Sequence, residues 1–472
     1  MQVKDDIVIM TLKAQTMWLP VLRDDADTVS GRLLAALRRD IEEGRLPPGA
    51  RLPPHRNLAH RLGIGIGTVT NVYGEAARQG LLTATVGRGS FVAESPPLSD
   101  RGDGVIDLGR NVPPLAPAQR RLATTLARLG KRADLGSILD YAPPAGFDAH
   151  RRTAAAWLRR ISGFADARPD RLLITSGGQQ AMTLVLDTLC RPGDTILTEA
   201  ATYFGVRSIA QAGGYRMVGL AMDREGLLPD ALDAAAAGGA RVLYTLPTLQ
   251  NPTGRIMGER RRAEIAEVAR RRQLWVVEDD LYSSYAIDNA PPPIAAYAPE
   301  RCFYINGTSK ALSPGLRTGF LIAPDNDHFD RILRLVRARV YAPAALGAMI
   351  TCQWIEDGSA DEIVAEMQAE MIERGKMAIA KLGAAISPPD DPRCPHIWLP
   401  MSELDAERMA ARAMRAGVEL TPPSAPLIDP SLISGVRLCL GTPADRVQLG
   451  VALDRVAAAL DTDRTEAADA VI

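Results

Sequence analysis

The sequence predicts a multidomain chain, with an N-terminal winged helix-turn-helix followed by an α/β domain built on a mainly parallel central sheet. Helical periodicity and a glycine-tipped hairpin fill the first hundred residues, and beyond them short β-branched runs alternate with longer helical patterns. Between the two lies a stretch rich in Ser, Pro and Gly with no apolar period, which reads as a linker. The expected organisation is an extension over 1–27, a winged helix-turn-helix over 28–94, a linker over 95–105 and a second domain over 106–472.

At 472 residues, 46% of them hydrophobic, the chain can build more than one core. The net charge is -1, but between Thr28 and Glu94 nine arginines face five carboxylates, a local +4 that leaves -5 for the rest. Basic character is therefore confined to one end. Cys190, Cys302, Cys352, Cys394 and Cys439 form no C-x-x-C pair, and the five histidines have no metal-ligand spacing. That speaks against a disulfide framework or a metal site and suits a reducing cytoplasm. No apolar run approaches membrane-spanning length, and the first residues alternate charge with hydrophobes, unlike a signal peptide. Met10 and Met17 are alternative starts.

Val29, Leu33, Leu34, Leu37 and Ile41 define a first amphipathic helix, with Gly44 where a left-handed cap would sit. A second helix starts at Pro54, turns Leu58, Ala59 and Leu62 inward and stops at Gly63. Thr68 is the expected cap of a third, whose Val69, Val72, Tyr73 and Ala76 face the core while Thr70, Asn71 and Glu75 face outward. Two helices joined by a Gly-containing turn form a helix-turn-helix, whose second helix enters the major groove of double-stranded DNA. Strands over 81–86 and 90–93 flank Gly87-Arg88-Gly89 and read as a wing. Arg88 at its tip is a candidate for a minor groove or a phosphate, and Arg56 for a backbone phosphate. Asn71 and Thr70 are the candidates for base edges, because an amide bonds adenine bidentately and threonine offers a methyl or hydroxyl, and Thr68 is a further DNA-binding candidate. An arginine-rich helical surface is by itself also compatible with simple solvation.

The run from Ile41 through Leu46-Pro47-Pro48-Gly49 to Ala59, with Gly87-Arg88-Gly89-Ser90-Phe91-Val92, resembles the winged-helix domain of GntR-family bacterial regulators. Where many members carry a Ser-Arg pair before the recognition helix, this chain has Gly65-Ile66-Gly67. The departure removes an expected phosphate contact.

In the second domain, strands are expected over 172–175, 195–197, 242–246, 274–277 and 302–305, with ligands at their carboxyl ends. Ser176-Gly177-Gly178-Gln179 follows the first of them and opens a helix, an arrangement that can bind phosphate although such glycines more often just turn the chain. Asp279 follows another. Asp280 beside it leaves the choice open, and Tyr282 three residues on favours Asp279. Lys310 lies in Asn306-Gly307-Thr308-Ser309-Lys310, followed by Arg317, and Asn251 lies in Asn251-Pro252-Thr253-Gly254. An isolated lysine is ordinarily a solvated group. Here order and spacing single it out: an amine for an aldehyde, a carboxylate for a pyridine nitrogen and a cation for a phosphate.

These blocks resemble fold-type I pyridoxal phosphate enzymes of the aspartate aminotransferase superfamily over most of residues 106–460. The resemblance implies that Lys310 forms the Schiff base, Asp279 meets the pyridine nitrogen, and Tyr282 and Asn251 bond the ring oxygen. It implies that Tyr203 stacks on the ring, and that Gly178, Gln179, Ser309 and Arg317 surround the phosphate. It makes Tyr141 a contact to a neighbouring subunit's phosphate in a homodimer and Arg437 the clamp for an effector carboxylate. Arg207 is a candidate second cation and also suits a structural role. Gly307 departs from relatives that place a phosphate-binding serine there. Winged helix, linker and aminotransferase-like domain together resemble the MocR subfamily of GntR regulators. The implied function is a transcription factor that senses an amine, amino acid or B6 vitamer through pyridoxal phosphate. The alternative is a working aminotransferase with an accessory DNA-binding domain.

Overall fold

The structure, a computed structural model, describes residues 18–22, 28–85, 89–93 and 104–469. The chain divides into two compact units, Met1–Asp103 and Gly104–Ile472.

In the first unit, helix α1 (Val29–Glu42) is capped by Thr28, whose hydroxyl oxygen accepts from Gly31 N at 3.1 Å. Helix α2 (His55–Leu62) follows Pro54 and closes on Gly63 at φ +66°, a left-handed position that glycine reaches at low cost. Helix α3 (Ile66–Arg78) begins earlier than expected. Gly65 is its N-cap, and Thr68 lies inside the first turn with its backbone N–H given to Gly65 O at 3.1 Å. Thr68 therefore does not cap the helix, because the extended backbone at Gly65 already makes the turn. Strands β1 (Leu82–Thr85) and β2 (Gly89–Val92) pair antiparallel with Leu82 opposite Val92. The wing tip lies outside the described residues, and Arg88 with it.

Leu33, Leu37, Leu58, Val69, Val72, Tyr73 and Ala76 form one buried cluster, the periodic residues of all three helices meeting as their spacing requires. Trp18, from the segment read as an extension, joins this core and donates its indole N–H to Asp40 Oδ2 at 2.7 Å. The indole satisfies the second oxygen of a buried carboxylate whose Oδ1 is already taken by Arg45 Nε at 3.0 Å.

The second unit is organised by a seven-stranded sheet. Its strands are β3 (Leu172–Thr175), β4 (Thr195–Glu199), β5 (Arg216–Leu220), β6 (Val242–Thr245), β7 (Trp275–Asp279), β8 (Cys302–Gly307) and β9 (Gly319–Ile322). Their spatial order is β3-β9-β8-β7-β6-β4-β5. The pairings from β8 to β5 are parallel, and β9 alone runs antiparallel to both of its neighbours. All five expected strands are present; β5 and β9 are additions.

Alternate strand residues fall into two cores. Leu173, Ile196, Tyr244, Val277, Ile305 and Leu321 lie in one cluster, and Leu172, Leu197, Leu243, Val276, Tyr304 and Phe320 in the other. This is the period of two expected of a sheet covered by helices on both faces. A second layer near the C-terminus is built on β10 (His396–Pro400), which pairs antiparallel with β11 (Gly435–Cys439) so that Trp398 lies opposite Arg437. Among the described residues no helix is long and apolar enough to cross a membrane.

Candidate functional site

In the first unit, Thr70 and Asn71 are exposed on α3, and Arg56 is exposed in the first turn of α2. Arg56 and Asn71 have no partner among the described residues, which leaves them free to meet a nucleic acid. Thr70 Oγ1 lies 3.1 Å from His55 Nδ1, and the His55 ring stands edge-on to Tyr73 at 4.8 Å. His55 thus belongs to this face, although no spacing in the sequence singles it out.

In the second unit the candidate residues gather at the carboxyl ends of the parallel strands. The end of β8 runs straight into a single helical turn, α5 (Thr308–Ala311), that carries Lys310. Lys310 Nζ donates to the backbone carbonyl of Asn111. Burial pulls its amine down to about 8, and the nearby Arg437 acts in the same direction. Asp279 ends β7, buried, and accepts from Tyr244 OH at 2.7 Å and from Leu281 N at 3.3 Å. Burial pushes its carboxyl up to about 6. Asp280 turns elsewhere and accepts from Tyr304 OH at 2.7 Å; burial pushes its carboxyl up, against the opposing charge of Arg262. Successive strand residues point to opposite faces, so only Asp279 shares a neighbourhood with Lys310.

An anion cradle lies beside them. Gly177, at φ +90°, is the N-cap of α4 (Gly178–Leu189), and a Cβ there would sit 2.7 Å from Arg317 Nη2. Arg317 gives Nη2 to Ser176 O at 2.9 Å. Gly178 begins the helix with amide N–H groups that have no intrahelical acceptor, a favourable end for negative charge. Gln179 donates to Gly205 O at 2.9 Å and accepts from Tyr203 OH at 3.2 Å. Tyr203 stands among the charges of Asp279, Arg437 and Arg317. Ser309 is half-buried with no hydrogen-bond partner among the described residues. The glycine at 307 has a structural cause. It pairs across the ladder with Gly319, and a Cβ on Gly307 would come within 2.9 Å of Thr318 O. A side chain there requires the backbone at Thr318 to give way.

Tyr282, Asn251 and Arg437 form one network. Arg437 is buried and gives Nη1 to Asn251 Oδ1 at 2.7 Å, Nη2 to Gly109 O at 2.8 Å, and Nε and Nη2 to Thr421 Oγ1 at 3.2 and 2.9 Å. One of its five N–H groups is left over. Because Asn251 Oδ1 is held by Arg437, its Nδ2 points to Tyr282 OH at 3.4 Å. Asn111 Nδ2 donates to the same hydroxyl at 2.9 Å and to His396 Nδ1 at 3.1 Å, while His396 Nε2 faces Gln250 O at 3.1 Å. Burial holds the His396 ring neutral, with its pKa down to about 3.

Two candidates lie outside this ring of residues. Arg207 gives Nη1 to Ser424 O at 2.9 Å and Leu427 O at 3.2 Å, and so ties down a loop. Tyr141 is 77% exposed and packs on Tyr341 at 4.7 Å between ring centres. Asn111, His396 and Tyr244 belong to the site yet sit in no block that the sequence marks. Taken together, the arrangement suits an anionic aromatic ligand bearing an aldehyde: a half-buried amine, a buried carboxylate and a glycine-lined anion cradle closed by an arginine.

Residues 103–456 match the family described as aminotransferase class I and II, and residues 30–92 match the bacterial regulatory proteins of the gntR family. The HTH-type transcriptional regulator YdeF of Bacillus subtilis (strain 168) is 30% identical over 315 residues, covering 65% of this chain and 67% of YdeF. The probable rhizopine catabolism regulatory protein MocR of Rhizobium meliloti is 27% identical over 430 residues, covering 84% of each. Among solved structures, LysN, an α-aminoadipate aminotransferase from Thermus thermophilus, superposes with a TM-score of 0.69 at 24% identity, covering 76% of this chain and 93% of LysN. At that identity the likeness speaks for the fold, and the fold agrees with the sequence matches. With an aminotransferase class I and II domain behind a GntR-type helix-turn-helix, the chain belongs to the MocR subfamily of GntR-type regulators.

Proposed function

We propose that the protein is a DNA-binding transcriptional regulator that holds pyridoxal 5'-phosphate on Lys310 and through it senses an amine, an amino acid or a B6 vitamer. The observation that carries this reading is the presence, in one chain, of an open recognition helix and a half-buried lysine whose amine is pulled down to about 8. When bound, the cofactor supplies an aldehyde with which amines condense. The residues of the chain supply the rest. Lys310 offers a largely desolvated amine. Asp279 offers a carboxylate for the ring nitrogen, and the α4 N-terminus with Arg317 offers donors for the phosphate. Tyr282 already accepts two N–H groups, so its own proton is free for the ring oxygen. Arg437 keeps one N–H for a ligand carboxylate.

A ligand can change DNA binding only through different affinities for the DNA-binding and non-binding states. The protein acts in the cytoplasm as a homodimer, a reading supported by the exposed Leu139, Tyr141, Val340 and Tyr341. In it Tyr141 reaches the phosphate end of the second copy's site, and two recognition helices address paired half-sites.

The test is an absorbance titration of the purified protein with pyridoxal phosphate and then with an amine panel, beside a gel-shift assay on its own upstream DNA. A Lys310-dependent band together with amine-altered DNA binding is the expected result. Turnover of an amino donor with a 2-oxo acid at about 1 per second or faster, without any DNA shift, would move the assignment to an aminotransferase.

A further inference from the structure

His396 fixes the polarity of a chain of hydrogen bonds that ends in an unused acceptor. Gln250 O can only accept, so the proton of the neutral ring must sit on Nε2, 3.1 Å away. Nδ1 is then an acceptor, which forces the amide of Asn111 to present Nδ2 to it at 3.1 Å. The same Nδ2 serves Tyr282 at 2.9 Å. Flipping the amide would set its oxygen against the bare Nδ1, and a second ring proton is opposed by burial and by the positive charges of Arg437 and Lys310. Asn111 Oδ1 is therefore turned the other way, buried and without a partner among the described residues. Its own backbone carbonyl takes Lys310 Nζ, so this orphan acceptor belongs to the residue that touches the reactive amine. A buried oxygen left unpaired is costly, and a site holding one favours a ligand that brings a hydrogen-bond donor.

We propose that Asn111 determines effector specificity: its Oδ1 selects amines that carry a second hydrogen-bond donor, a hydroxyl or an amide N–H, over isosteric amines that lack one. The inference rests on the cofactor reading above and deepens it. It names a ligand class for that site and a residue that neither motif order nor family resemblance marks.

The experiment uses the full chain loaded with pyridoxal phosphate. The affinity for amines is read from the change in the bound-cofactor band, using near-isosteric pairs: serine with alanine, threonine with valine, glutamine with methionine. In the wild type at least one pair should favour the donor-bearing member by about tenfold, the scale of one buried hydrogen bond. Asn111→Leu, which has the shape without the acceptor, should bring that preference below about threefold. Because the two members of a pair have nearly the same shape, a packing defect weakens both alike, whereas loss of Oδ1 changes their ratio, which separates recognition from mere packing. Asn111→Ala replaces the leucine variant if the latter does not load cofactor.

An unchanged preference in the leucine or alanine variant, or no discriminated pair in the wild type, overturns the proposal. So does a variant that loses affinity for pyridoxal phosphate while its amine preference stays intact, because Oδ1 then serves the cofactor. A wild type that gives no Lys310-dependent band at all sinks the cofactor reading itself, and that failure is distinguishable from the others.

Discussion

The two candidate sites are built on opposite principles. On α3, Asn71 is exposed and has no partner among the described residues, as is the case for Arg56 on α2, and what positions them is the small core beneath. Around Lys310 a buried network is already committed, with Asp279 held by Tyr244, Asn251 by Arg437 and Tyr282, and His396 by Gln250 and Asn111, while Ser309 and Asn111 Oδ1 stay open among the described residues. A reading surface for a long polymer has to leave its donors and acceptors open, because the partner arrives with many weak contacts of its own. A pocket for a small covalently held ligand has to be finished beforehand, because a few atoms must do everything. Damage should therefore be graded at the first site and all-or-none at the second.

The sharpest test of that difference is Lys310→Ala. It should abolish the lysine-linked cofactor band and the amine response outright, and the thermal midpoint should stay level or rise. Removing an amine that burial already holds down to about 8 relieves a desolvation cost. A large fall in midpoint would show that the lysine is structural. Next in size is a pH effect. Only the free amine captures an aldehyde, so in cofactor-free protein the rate of pyridoxal phosphate capture should rise about tenfold per pH unit below about 8 and level off above it. A stopped-flow profile without that bend would remove the claim that Lys310 is specially tuned.

Gly307→Ser probes how finished the pocket is. The relatives' serine should not improve cofactor binding here. Instead it should cost about 1–3 kcal/mol of stability through overpacking against Thr318 O, measurable by urea unfolding. On the reading face, Asn71→Ala should weaken specific DNA by about 1–3 kcal/mol while sparing random DNA. Equal loss on both would contradict base reading. Smallest is Arg56→Ala, which should weaken all DNA alike and lower the salt slope by about one.

The parts legible in the sequence are those that depend on periodicity or on local order. The three helices of the first unit and the five expected strands of the second follow from apolar spacing. Asp279, favoured in the sequence by Tyr282, and its neighbour Asp280 take different partners in the fold, Tyr244 OH for the first and Tyr304 OH for the second. Strand β9 escapes such a reading because Gly319–Ile322 follows the Lys310 loop without a helix between, so the alternation that marks parallel strands is broken there. Thr68 reads wrongly as a cap because a threonine ahead of an apolar run is the usual sign, whereas glycine at 65 needs no side-chain bond to turn the chain. Asn111 and His396 are invisible for a deeper reason. They lie 199 and 86 positions from Lys310 in the chain, and only the closed fold brings them to it.

Trp18 has a practical corollary. Of the chain's five tryptophans it is the one in Met1–Asp103, locked into that core through Asp40, whereas Trp157, Trp275, Trp354 and Trp398 belong to the other unit. Fluorotryptophan incorporation would thus give five fluorine resonances from the intact protein, one of them a private signal from the DNA-reading half, assignable with a single Trp18→Phe spectrum. Adding an amine and watching which of the five lines moves would show, with no tag and no separated fragment, whether news from the lysine reaches the other half.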